Sequence, residues 1–129
     1  MSEPKVPDTF TVTVAGDPRH LKMTFGLLNE LVRTVGDIEG VAEISFDTEL
    51  RNTLLNELFA RRDEQGVIVE PVNLFHFDIA PDEVVELMEW VGVHITDFLL
   101  KQMIRSKALM EARQPQIEAL MPTSTGSPN

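Results

Sequence analysis

The chain has 129 residues, which is enough for one domain with a hydrophobic core, and its formal charge of −10 makes it strongly acidic. This charge argues against binding to DNA or RNA, because phosphate recognition needs clustered lysine and arginine. The absence of cysteine excludes disulfides, cysteine-based zinc sites and thiol nucleophiles, and it favours a cytoplasmic location.

Neither secretion nor membrane insertion is predicted. The opening MSEPKVPDTF lacks the basic start and apolar run of a signal peptide. The most apolar stretch, Val91 to Leu100, is interrupted by His94 and Asp97 and is far shorter than the roughly 20 residues that a spanning helix needs.

The N-terminal part predicts a β-hairpin. Residues 1–8 are polar with two prolines and should form a flexible arm. Thr9–Val14 (TFTVTV) and Leu21–Phe25 (LKMTF) alternate apolar and polar residues on either side of the turn signal AGDP. Because a lone hairpin is marginally stable, its apolar side must pack on helices or on strands of another copy. Pairing within one chain and between chains both remain open.

Two helices are predicted in the middle of the chain. The segment LLNELVRTVG has its apolar residues at helical spacing and should end at Gly36, whereas DIEGVAEISF is ambiguous. Asp47 is a suitable N-cap for the next helix. Its apolar face would carry Leu50, Leu54, Leu55, Leu58 and Phe59, with Arg61 and Arg62 at its C-terminal end and Gly66 closing it.

The last third predicts an extended segment and a long helix. VIVEPVNLFHF, with Pro71 inside it, suits an edge strand or a wrapped loop. A helix restarts near Pro81 and should stop at Gln114, before Pro115, although IEALM could add one further turn. Residues 115–129 should form a flexible tail. The fold class is therefore mainly α with an N-terminal β-hairpin, in one domain over 9–114, with α+β as the alternative.

The long helix raises a problem of size. A helix over 82–114 would be about 50 Å long at roughly 1.5 Å per residue, whereas a domain of this size is about 35–40 Å across. Either the helix breaks near Gly92, or its last turns project from the domain. Projection would carry apolar side chains towards another molecule, and these are Phe98, Leu99, Met103, Ile104 and Met110.

The order of charges along the chain has two interpretations. Every formal charge between Asp63 and Leu100 is negative. The segment from Lys101 to Arg113 contains one acid, Glu111, and four bases, which are Lys101, Arg105, Lys107 and Arg113. This order either complements the helix dipole on a solvated helix or lets an acidic body of one copy dock on the basic helix end of another.

The residues do not predict catalysis, a cofactor or a metal site. The three histidines are far apart in sequence, and His94 with Asp97 gives two ligands where zinc needs three or four. Glu83, Glu86 and Glu89 are typical of a solvated acidic helix face, and no nucleophile or phosphate-binding motif is present. We therefore expect a binding protein and no enzyme.

The predicted contact surface combines parts of two helices and would bind sister copies or a client. Trp90 is either a core residue or an interface anchor. The predicted set is Leu54, Leu58, Phe59, Trp90, Ile95, Phe98, Leu99, Lys101, Met103, Ile104 and Arg105.

Nearly the whole chain resembles the tail assembly chaperones of long-tailed bacteriophages, most closely those of lambda-like phages. The resemblance lies in the small, acidic, cysteine-free composition and in the order of elements. These are the strand-rich start (TFTVTV, LKMTF), the helices TELRNTLLNELFARR and DEVVELMEWVGVHITDFLLKQMI, and the polar end MPTSTGSPN.

This resemblance implies a viral tail assembly function in the host cytoplasm and absence from the mature virion. Such chaperones form oligomers, coat the long hydrophobic tape measure protein and help the tail tube protein polymerise around it. It also implies a longer product made by ribosomal frameshifting, with which the terminal SPN (127–129) is compatible if its codons form a slippery heptamer. The alternative is an acidic export chaperone or adaptor of the type III secretion kind, which would contain more strand in a mixed α/β dimer.

Overall fold

The computed structural model describes residues 6–120, and helices account for most of them. The elements in chain order are strands β1 (Thr9–Val14) and β2 (Asp17–Lys22), helices α1 (Phe25–Val35), α2 (Ile38–Glu43) and α3 (Thr48–Phe59), strands β3 (Arg61–Arg62) and β4 (Ile68–Glu70), a 3-10 turn (Leu74–His76) and helix α4 (Pro81–Leu120). This order confirms the predicted fold class of a mainly helical protein with an N-terminal hairpin and a long last helix.

The chain divides into two compact units. The first ends at Asp97 and contains every element before α4 together with the beginning of that helix. The second begins at Phe98 and consists, within the described residues, of the rest of α4. Residues 1–5 of the arm predicted over 1–8, and residues 121–129 of the tail predicted over 115–129, lie outside the described residues.

The N-terminal hairpin forms within one chain, and its turn is shorter than predicted. β1 pairs antiparallel with β2 from Thr9–Lys22 to Val14–Asp17. Only Ala15 and Gly16 connect the strands, and both have positive φ angles, as two-residue hairpin turns require. The prediction of Leu21–Phe25 as the second strand was wrong at both ends, since β2 runs from Asp17 to Lys22. Thr24 ends the extended segment, because its hydroxyl accepts the Leu27 N–H at 3.2 Å and caps α1.

Helix caps fix the boundaries of the three central helices. Gly36, with a φ of 93°, ends α1 as predicted, since this left-handed conformation suits glycine. Asp37 accepts the Gly40 N–H at 2.9 Å, which makes the ambiguous segment the short helix α2. Asp47 accepts the Leu50 N–H at 3.0 Å and caps α3, as predicted.

The end of α3 differs from the prediction. The helix stops at Phe59, and Arg61 and Arg62 enter a small antiparallel sheet with β4, while Gly66 lies in the connecting turn. The Arg62 guanidinium pairs with the Glu57 carboxylate at 2.6 Å and donates to the Gly66 carbonyl at 2.8 Å. These contacts hold the chain after α3 against the end of that helix. This ion pair and hydrogen bond compete successfully with continuation of the helix.

Helix α4 is longer than predicted. It shows no break at Gly92 and continues past Pro115 to Leu120, so the predicted stop at Gln114 was wrong. Proline removes one backbone hydrogen bond, but Glu111, four residues earlier, is exposed and its carbonyl can be hydrated. The Gln114 side chain also donates to the Glu118 carboxylate at 3.1 Å, which links the turns on either side of the proline.

The hydrophobic core lies in the first unit, between the hairpin and helices α1, α3 and the beginning of α4. Its fully buried side chains come from all of these elements, and they are Val12, Leu31, Leu54, Leu87, Val91 and Ile95. The hairpin is fixed to the start of α4 by backbone contact, since the Ala15 N–H donates to the Asp78 carbonyl at 2.8 Å. Glu83 strengthens this junction by accepting the Thr13 N–H at 2.8 Å.

Replacement of glycine by alanine should have opposite effects at two helical positions, Gly40 in α2 and Gly92 in α4. A Cβ at Gly92 would lie 3.5 Å from Val41 Cγ1, an ordinary contact, whereas a Cβ at Gly40 would overlap the Val35 carbonyl oxygen. We expect Gly92→Ala to raise the free energy of unfolding by about 0.5–1 kcal/mol through helix propensity. Gly40→Ala should lower it by roughly 1–3 kcal/mol through overpacking. Urea denaturation of both variants tests this, and a loss of stability in Gly92→Ala would contradict the packing of α4 on α2.

The two adjacent arginines after α3, Arg61 and Arg62, provide a test substitution and its matched control. Arg62 and Glu57 are only 27% and 14% exposed, whereas Arg61 and Glu70 are 72% and 68% exposed at 3.4 Å. We expect Arg62→Ala to lower the free energy of unfolding by about 1.5–3 kcal/mol, because it leaves Glu57 without its charged partner. Arg61→Ala should leave it nearly unchanged. Equal effects in denaturant titration would refute the role given to Arg62.

Candidate protein-binding surface

The first half of α4 is anchored to the start of the chain through Trp90. The indole N–H donates to the Pro7 carbonyl at 2.8 Å, and the ring packs against Phe10 with centroids 5.5 Å apart. His94 Nε2 lies 2.8 Å from the same carbonyl, and because a carbonyl only accepts, this nitrogen carries the proton. His94 is therefore a satisfied structural histidine, and it helps to hold Pro7, at the described end of the N-terminal arm, in place.

Three residues of the predicted contact surface belong to the core of the first unit. Leu54 and Ile95 are fully buried, and Trp90 is 5% exposed. Of the two roles left open for Trp90, the structure gives it that of a core residue. The spacing that suggested a contact face is the spacing with which α3 and α4 pack inside their own protomer. These three side chains cannot reach a partner without unfolding of the unit.

Two further predicted residues are half-buried at the end of α3. Leu58 and Phe59 each retain partial exposure, and the Phe59 ring packs against Phe77 with centroids 4.9 Å apart. Phe59 thereby covers the segment that leads to α4. Both residues contribute mainly to the first unit and present only an edge to solvent.

The remaining predicted residues lie at the beginning of the second unit. Phe98 and Leu99 are half-buried, whereas Lys101 and Arg105 are exposed. Met103 is 59% exposed and Ile104 is 67% exposed. Every residue from Leu100 to Gln116 is exposed, so the structure brings the accessible part of the predicted set together on this single stretch of helix.

The second unit carries several exposed large apolar side chains. Met103, Ile104, Leu109 and Met110 are each more than half exposed. Burying side chains of this kind releases about 1.5–3 kcal/mol each, so covering all four would contribute on the order of 6–12 kcal/mol before any entropic cost. Large apolar side chains concentrated on one exposed stretch of helix favour protein association.

The two units have opposite charges. After Asp97 there are four basic and two acidic residues, a net charge of +2, which leaves −12 for residues 1–97 out of the total of −10. The exposed methionines and isoleucine of α4 therefore lie among bases, whereas the surface of the first unit is acidic. Such a distribution favours contacts between unlike parts of different molecules.

Sequence reasoning missed several exposed apolar residues of the first unit. Val85 and Val93 are 58% and 49% exposed, because each lies beside the buried stripe of α4 rather than on it. Phe46 is 87% exposed and immediately precedes the N-cap Asp47, where a hydrophobic residue usually packs against the fourth residue of the helix. That position is Arg51, so Phe46 lacks the apolar partner of this motif, and this mismatch is readable in the sequence.

Metal ligands and membrane spans were also sought. Within residues 6–120, no three or more side chains of histidine, cysteine, aspartate or glutamate lie close enough together to hold a metal ion. In the same part of the chain, no helix has both the length and the apolar character needed to cross a bilayer.

Comparison with known proteins gave no relationship. No protein-family model, no curated protein and no solved structure matches this chain.

Trp90, the only tryptophan, distinguishes a core residue from an interface anchor spectroscopically. We expect blue-shifted emission that acrylamide quenches weakly, and we expect no change on dilution from high to low protein concentration, because the ring is buried within its own protomer. Fluorescence across a concentration series measures this. A red shift on dilution without loss of helical circular dichroism would place Trp90 in an interface instead.

Proposed function

We propose that this chain is a tail assembly chaperone of a long-tailed bacteriophage. It associates with copies of itself, binds the tape measure protein and helps the tail tube protein polymerise around it. The observation that carries the proposal is the exposed apolar surface of the second unit, from Met103 to Met110. A tape measure protein is long, helical and hydrophobic, and it needs a partner with such a surface until the tube covers it.

The order of elements supports this proposal over the alternative. The N-terminal hairpin, the amphipathic helices and the long last helix match the pattern on which the resemblance rests. An export chaperone of the type III secretion kind would have a larger mixed sheet. The described residues form instead two separate two-stranded sheets, one of them only two and three residues long.

The chemistry of the second unit suits a helical client. Met103 and Met110 have flexible, polarisable side chains that adapt to irregular apolar surfaces. Ile104 and Leu109 extend the apolar surface around the helix. The strongly acidic first unit would keep a complex with an insoluble client in solution, because net charge opposes aggregation.

In this proposal the protein acts by binding and catalyses no reaction. It works in the host cytoplasm while the tail is built, and it leaves as tube subunits replace it, so that the mature virion does not contain it. Neither a cofactor nor a metal takes part. A longer frameshifted product, if the gene encodes one, would add a domain after the exposed helix.

Capture of tape measure segments tests the proposal. The double variant Ile104→Asp, Leu109→Asp should bind such segments at least about tenfold more weakly than the wild type, because it places charges in a contact that depends on apolar burial. Titration calorimetry with purified segments measures the affinity, and circular dichroism verifies that the helix content is kept.

The matched control is Gln102→Asp, Gln116→Asp, which adds the same charge at exposed polar positions of the same helix. We expect this control to bind within about threefold of the wild type, a difference below 1 kcal/mol. Wild-type protein that fails to bind any segment of the tape measure protein, at concentrations where its own association is measured, would rule the proposed client out.

A further inference from the structure

The solvent side of the first half of α4 presents what we call the acidic face, made of Asp82, Val85, Glu86, Glu89 and Val93. All five side chains are exposed. Asp82, Val85, Glu89 and Val93 recur every three or four residues, and Glu86 lies beside Val85, so the five form one strip along the helix. The two valines are about half exposed. The acidic face therefore offers carboxylates with apolar contacts between them.

A second strip lies on the exposed part of the same helix. This basic face consists of Met103, Lys107, Met110 and Arg113, which recur at spacings of four, three and three residues. Both methionines are more than half exposed, and both bases are exposed. The basic face thus alternates apolar and cationic side chains, as the acidic face alternates apolar and anionic ones.

We propose that the basic face of one copy docks antiparallel on the acidic face of a second copy. The inference rests on the self-association part of the proposed function and does not depend on the client. The two strips have matching lengths, about 15 Å from residue 103 to 113 and about 16 Å from 82 to 93 at 1.5 Å per residue. Charge complementarity and the exposed apolar residues on both strips select a second copy as the occupant.

The antiparallel register brings unlike groups together along the whole contact. Lys107 meets Glu89, and Arg113 meets Asp82. The apolar positions coincide as well, because Met103 falls opposite Val93 and Met110 opposite Val85. Glu86 lies beside the last pair and adds negative charge near Arg113. Each charged group on one strip therefore has an opposite charge within reach on the other.

This contact joins an acidic face to a basic face, and each copy carries both. The paired positions sum to 195 or 196, so the register is the same from either copy: two copies that exchange both contacts form a closed pair, whereas single contacts repeated from copy to copy give rings or open chains. A single pair of short helical strips is also small compared with the roughly 1,200 Å² of a stable interface. Association should therefore depend strongly on protein concentration and weaken as salt screens the charges.

A charge-swap experiment with the full chain tests the contact. Glu89→Lys and Lys107→Glu should each weaken the apparent self-association constant at least about tenfold, because each sets like charges opposite one another. An equimolar mixture of the two variants should recover it to within about threefold of the wild type, since each variant then meets its complement. Sedimentation velocity over a concentration series measures all three samples.

Two further samples make the result specific. Glu43→Lys reverses an exposed acid on α2, away from the acidic face, and should associate within about twofold of the wild type. Asp82→Lys with Arg113→Asp forms a second complementary pair that recovers on mixing only in the antiparallel direction. If Glu89→Lys or Lys107→Glu loses its helical circular dichroism signal, this second pair is used for the mixing experiment instead.

The inference is overturned if the wild type is monomeric at every concentration, if Glu89→Lys associates like the wild type, or if mixing restores nothing. Binding of tape measure segments is measured on the same samples. If the segments bind but mixing does not restore self-association, the proposed function stands and this interface is rejected. Recovery on mixing with no segment bound supports the interface and removes the proposed client.

Discussion

Helix α4 has fully buried side chains only as far as Ile95, and this limit determines which part of the helix is open to other molecules. Beyond Leu99 the helix continues with every side chain exposed up to Gln116. It does not need packing to remain helical there, because leucine, lysine, glutamine, methionine, arginine, alanine and glutamate, which have high helix propensity, make up most of residues 100–114. Helix propensity thus keeps residues 100–114 helical where no hydrophobic core supports them.

The contacts of the first unit fix the beginning of α4. Trp90 and His94 both hold the Pro7 carbonyl, and Phe10 packs on the indole, so the hairpin and the start of α4 stabilise one another. The Ala15–Asp78 hydrogen bond fixes the other end of the same junction. Removal of any one of these contacts would loosen the hairpin, the element that a mainly helical protein of this size can least stabilise alone.

The elements that the sequence predicted correctly are those set by local chemistry. The N-cap Asp47 and the terminator Gly36 act through hydrogen bonds and backbone angles within a few residues of themselves. The errors involve competition between distant or alternative partners. Arg62 pairs with Glu57 instead of extending α3, and Pro115 is tolerated because its turn is solvated. Periodicity also could not separate a stripe that packs internally, such as the one containing Trp90 and Ile95, from one that remains exposed.

Exposed apolar side chains surround the second unit on more than one side, so a single partner cannot cover them all. At about 100° per residue, Ile104 and Leu109 each point roughly a third of a turn away from the strip that holds Met103 and Met110, in opposite directions. A sister copy docked on the basic face would therefore leave Ile104 and Leu109 uncovered. Those two side chains could then bind a hydrophobic client while the copies stay associated. The proposed self-association and the proposed client binding would thus use different sides of one helix.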